Sequence, residues 1–256
     1  MPSYVILEKI YGKVNPKSFK PLFFNLFKGL NVEFEILGVI NSWLSIEVSG
    51  EDLEVAEQIL KSNFGIAPVD ASKIKRFECI KGRVLTEVED GFIIDIGVFK
   101  PNPVKAFIPL WKASAQLTDG KKTNMKILSS LFCLVENIPV EVRLLNVLEN
   151  GFVEAEFHEK FLNKIKNWIL DGLDRLIVIG ATLKSVKKAL KSSRHIRDIV
   201  FVESLGLLEH AIVCKLGTDA VGLIPRIGNF LPDAKLAVFS PREIIRSFGK
   251  DFFLYF

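Results

Sequence analysis

Four lysines, Lys184, Lys187, Lys188 and Lys191, stand at i, i+3, i+4 and i+7 in the segment TLKSVKKALKSS. That spacing predicts a helix with all four ammonium groups on one face. Arg194, His195 and Arg197 extend the series, and no acid intervenes until Asp198. Like charges so placed repel one another, and a polyanion would relieve the repulsion while shedding its own counterions. The chemistry open to this segment is therefore electrostatic capture of phosphates. The bland alternative is a solvated face whose cations sit near the negative end of the helix dipole.

Other constellations offer less. Asp119-Gly120-Lys121-Lys122-Thr123, with Lys126 beyond, resembles a phosphate loop, but Ala115 stands where that motif needs its first glycine and Lys122 where it needs Ser or Thr. Lys121 and Lys122 are read instead as loop cations beside a barrel. His210 and Cys214 share a strand parity and His195 could approach them, a poor match to a zinc set of three or four ligands. Asp95, inside FIIDIG, is a polar residue in an apolar strand and the one candidate for a displaced catalytic acid. No Ser or Cys lies in a recognised nucleophile motif with any of the three histidines. The sequence therefore predicts neither an enzyme nor a resident metal or cofactor.

Composition bounds the rest. The 256 residues are 25% charged and 49% hydrophobic, enough for two or three domains with their own cores. Mean hydropathy is +0.28, yet charges interrupt every apolar run, so no membrane span is expected. The N-terminal segment lacks the pattern of a secretory signal, and Cys79, Cys133 and Cys214 are widely spaced among apolar neighbours. A cytoplasmic protein with three core thiols is the expectation. Residues 1–76 are neutral, residues 77–157 net −2, and residues 158–256 net +6, so the whole positive balance is C-terminal.

The elements that would position these groups follow from periodicity. YVILEKIYG reads as a strand, Asn15-Pro16 as a helix start, and Phe19, Phe23 and Phe27 as a core stripe, with Pro21 able to delay the helix. VEFEILGVI and SWLSIEV read as paired strands, and Ser49 to Asp52 as a capping box before a helix over 51–63. This β-α-β-β-α order is most of a ferredoxin-like unit, with a linker near Pro68 to Lys75. Residues 77–157 change to five strands with a short helix, NMKILSSLFCL, between the third and fourth, an OB-type barrel. After an amphipathic helix, RLIVIG, DIVFVES, EHAIVCKLG, AVGLIPRIG and KLAVF read as strands of a third, α+β domain over 158–256. The run from Ile199 to Pro225 parallels that from Val84 to Pro109, as a degenerate repeat or as two unrelated meanders. The terminal FFLYF is expected to dock as a last core segment.

Gly82-x-Val84, Gly91-Phe92-Ile93-Ile94-Asp95-Ile96-Gly97 and Ala106-Phe107-Ile108-Pro109 resemble the S-one-type RNA-binding OB repeat. The resemblance implies RNA contact by an aromatic of the second strand and a histidine of the third. Ile93 and Pro109 replace the expected aromatic and histidine, leaving Phe92 and Phe107 as stacking candidates and Lys105 as a phosphate contact. The domain order, with KPNPVKAFIPL and the DGKK loop, is similar to an archaeal family defined as a domain of unknown function, and more loosely to the stalk subunit of archaeal RNA polymerase. The sequence thus predicts an RNA-binding or ribonucleoprotein-associated protein that uses a basic helix and a barrel. A protein-interaction module contacting ribosome or RNA polymerase components is the alternative.

Overall fold

The computed structural model describes residues 2–147 and 151–249, so the terminal FFLYF lies outside the described residues. Two compact units are formed, Met1–Ile74 with Ile96–Val104, and Lys75–Asp95 with Lys105–Phe256.

In the first unit, Ser3–Lys9 (β1), Lys20–Leu26 (α1), Val32–Ile40 (β2), Trp43–Gly50 (β3) and Leu53–Asn63 (α2) build an antiparallel sheet of order β1-β3-β2. Pro16 opens a 3-10 turn capped by Asn15, and the α-helix proper waits until Lys20, with Pro21 in its first turn where a missing N–H costs nothing. Phe23 and Phe27 are buried, as the stripe predicts, and Phe23 packs on Phe34 and Phe64. The expected capping box does not form. Asp52 turns to the Asn31 N–H at 2.7 Å and Glu51 to the Asn31 amide at 2.9 Å, tying the helix start to the sheet edge. Where a ferredoxin-like unit has its fourth strand, beside β1, stands a single antiparallel bridge of Ile66 with Ile6. The chain then turns through Val69–Asp70 (β4), which pairs in parallel with Val98 and Lys100.

The second unit holds the barrel and the C-terminal domain. Cys79–Val88 (β5), Gly91–Lys100 (β6, whose end from Ile96 belongs to the first unit), Val104–Pro109 (β7), Pro139–Val147 (β8) and Phe152–Phe157 (β9) close through the pairs β5·β6, β6·β7, β7·β9, β9·β8 and β8·β5. The β7·β9 pair is parallel and the β5·β6, β5·β8 and β8·β9 pairs are antiparallel, the strand order of an OB barrel. Phe92, Ile94, Ala106, Ile108, Val142, Val153 and Phe157 fill it. Two helices, Leu110–Thr118 (α3) and Met125–Leu131 (α4), stand where the sequence predicts one. Cys79 is exposed, contrary to expectation, while Cys133 and Cys214 are buried and burial pushes their thiols up to about 12 and about 11.

Glu159–Leu170 (α5) leads into Arg175–Ile179 (β10), Leu183–Ser192 (α6), Ile199–Ser204 (β11), Glu209–Cys214 (β12), Ala220–Gly228 (α7), Lys235–Phe239 (β13) and Pro241–Phe248 (α8). The antiparallel sheet has order β11-β12-β10-β13, so β-α-β-β-α-β from β10 onward is a complete ferredoxin-like unit. AVGLIPRIG is helix α7, not the predicted strand. Asp219 accepts hydrogen bonds from the Val221 and Gly222 N–H groups, and Ala220, Leu223 and Ile227 bury at helical spacing. This ends the parallel with the barrel, whose corresponding segment is strand β7.

Candidate nucleic-acid interface

Helix α6 owes its position to three apolar residues. Val186, Ala189 and Leu190 are buried against Leu176, Val178 and Ile212 of the sheet, and Thr182 caps the start by accepting from the Ser185 N–H at 3.2 Å. At about 100° per residue, burying those three turns Lys184, Lys187, Lys188 and Lys191 to the opposite side. All four are exposed, and among the described residues none has a carboxylate within 4.0 Å. Arg194 follows in the left-handed region at φ 62°, ψ 14°, a conformation costing a non-glycine residue roughly 1 kcal/mol. It is exposed, as is Arg197, and neither has an acidic partner among the described residues. The acid of this turn, Asp198, is engaged by His195, with Nδ1 and Oδ2 2.7 Å apart, and Arg226 of α7 brings its guanidinium within 3.4 Å of the other imidazole nitrogen. Arg226 therefore joins the basic group, a neighbour that its distance along the chain from His195 conceals.

The remaining sequence candidates are spent elsewhere. Phe92 is fully buried and packs on Phe157 at 6.2 Å inside the barrel, so it cannot stack a base; alternation gives it the inward parity and leaves Ile93 outside. Phe107 is half-buried with its ring edge against Phe152 at 6.3 Å, over Gly91. Lys105 lies 3.1 Å from Asp95, whose carboxylate is nearly buried, so the candidate acid and the candidate phosphate contact hold each other. Lys121 donates to the Phe248 carbonyl and caps the end of α8, whereas Lys122 is simply exposed. His210 is buried in β12 and its Nε2 donates to the Ala181 carbonyl at 3.0 Å; burial lowers its pKa to about 4. Among the described residues no three His, Cys, Asp or Glu side chains gather as a metal site. Nor is any described helix long and apolar enough to cross a membrane.

The fold and the basic face define a multidomain α+β protein in which an OB barrel is followed by a ferredoxin-like module with a cationic helix. The chain belongs to the DUF2110 family: its N-terminal, central and C-terminal domains match residues 3–69, 75–169 and 173–239. No curated protein matches the chain. Solved structures sharing weak likeness include the a/eIF2alpha–aDim2p–rRNA complex of Pyrococcus horikoshii, at 14% identity and a TM-score of 0.26 over 48% of this chain and 60% of that one. The intact alpha subunit of aIF2 from Pyrococcus abyssi is another, at 9% identity and a TM-score of 0.25 over 65% of this chain and 97% of that one.

Proposed function

We propose that the protein binds RNA without transforming it, holding the phosphate backbone on the exposed face of α6 continued by Arg194 and Arg197. The observation that carries this reading is that six cations within one helix and its following turn are exposed and lack acidic partners among the described residues. A face meant only for solvent gains from carboxylates at i+4, and α6 has none. The barrel contributes shape rather than charge, since Lys105 is tied to Asp95.

The test is titration of the full chain with a labelled RNA oligonucleotide at increasing salt. A Lys184→Glu, Lys187→Glu, Lys188→Glu, Lys191→Glu variant should lose binding and keep its melting temperature, because exposed helix charges add little stability and Glu is as good a helix former as Lys. Unchanged affinity at unchanged melting temperature refutes the reading.

A second reading is favoured by the first unit, where Phe24 is 66% exposed and Leu37, Val39 and Ile40 of the edge strand β2 are exposed together. Such a surface fits a protein partner, in ribosome or RNA polymerase machinery. Co-sedimentation with ribosomes that survives the lysine substitutions but is lost in a Leu37→Lys, Ile40→Lys variant would favour it.

A further inference from the structure

We propose that the RNA held on α6 is single-stranded, and that Phe201, with Val200 beside it, takes an unstacked base at the open edge of β11; this rests on the reading above. The chain that carries the cations runs directly into that edge. Arg194 and Arg197 are followed by Val200 and Phe201, 51% and 53% exposed, in a strand that pairs with β12 on one side and with nothing on the other among the described residues. The register shifts between Ile199 and Phe201, a bulge that turns the edge outward at Val200.

The rest of the sheet is closed to bases. One face is packed by α6 and α7. Directly paired residues share a face, which places Phe201 with Val213, Arg175 and Phe239 on the other side. There α5 covers the sheet, with Trp168 against Phe239 at 5.2 Å and its indole N–H on Glu203. Glu209, also on that face, is buried against Arg83 of the barrel. Among the described residues the two edges, β11 and β13, remain, and Phe201 is their exposed aromatic, Phe239 of β13 being buried. Phe201 lies four residues beyond Arg197 and on the sheet face opposite α6, so a strand held by the cations reaches it by turning over the β11 edge. A duplex hides its base faces and is too stiff for that turn, whereas a strand with splayed bases can make it.

The experiment compares a labelled uridine 12-mer with a blunt 12-base-pair RNA duplex, on the full chain. Phe201→Ala should weaken the 12-mer roughly five- to hundred-fold while leaving its salt slope unchanged, and Phe201→Trp should restore it. A 12-mer carrying 5-iodouridine should cross-link to the peptide containing Phe201. Equal affinity of wild type and Phe201→Ala for the 12-mer, or a duplex bound as tightly as the single strand, overturns the inference. If the lysine variant still loses binding in that case, the basic-face reading stands and only the stacking falls. If neither RNA binds at all, both fall. A Phe201→Ala chain with a lowered melting temperature is judged on the position of the cross-link in wild type.

Discussion

Arg83 and Glu209 form an ion pair across 126 residues of sequence, joining barrel strand β5 to β12 of the C-terminal sheet with both side chains almost completely buried. Arg83 also donates to the Asn137 carbonyl at 3.3 Å. A buried pair of this kind holds geometry more than it adds stability, because desolvating two charges offsets most of their attraction. It fixes the barrel against the module that carries α6.

Removing one partner should therefore be far worse than removing both. Glu209→Leu removes the carboxylate facing the buried Arg83 guanidinium and should cost about 3–5 kcal/mol, whereas Arg83→Met with Glu209→Leu should come back to within about 1–2 kcal/mol of wild type. Urea unfolding of the two singles and the double checks this. Additive losses would mean that the two charges do not depend on each other.

His210 should make the protein acid-sensitive. Burial lowers its folded pKa to about 4 from 6.5, so the unfolded chain takes up the proton first. Its neutral form stabilises the fold above pH 6.5, and that contribution of roughly 3 kcal/mol is lost as pH falls from 6.5 towards 4. The difference in urea midpoint between wild type and His210→Gln should narrow over this window. A constant difference from pH 7 to 5 would show that His210 does not titrate in this way.

Gly91 opens β6 beneath Phe107. A methyl group there would stand 2.5 Å from both the Ile108 carbonyl oxygen and the Phe107 ring, closer than real contacts allow. Gly91→Ala should lower stability by about 1–3 kcal/mol through overpacking, seen as a lower melting temperature. The same substitution at Gly120, where a Cβ meets nothing but φ is +71°, should act through backbone strain alone and cost about 1 kcal/mol.

The basic helix was legible because its two periods coincide: apolar Val186, Ala189 and Leu190 mark one side and four lysines the other. The barrel was legible through strand alternation and glycine positions. What alternation could not reveal is parity, so Phe92 entered the candidate set although it points inward. AVGLIPRIG misled because its Val, Ile, Gly and Pro favour strands and turns, while the capping Asp219 sits one residue outside the segment. Phe201 was hidden in IVFVES, which reads as a buried strand; that β11 is an edge depends on which strand lies next to which, and local sequence does not encode it. The Arg83–Glu209 pair is invisible for the same reason.

Lys105 and Phe107 of the barrel should be silent in RNA binding, the barrel acting through its shape alone. Lys105 gives its charge to Asp95 and Phe107 its ring edge to Phe152, so neither is available without breaking an existing contact. Lys105→Ala and Phe107→Ala should leave RNA affinity within about twofold, whereas each Lys→Gln on α6 should reduce the magnitude of the slope of log K against log salt by roughly 0.7 for a single strand. Lys121→Gln separates charge from fold, since it removes the cap on the Phe248 carbonyl and should lower the melting temperature without changing that slope. Anisotropy titrations at four salt concentrations measure all of these. A barrel variant that shifts the slope as much as an α6 lysine does would move the interface from the helix to the barrel.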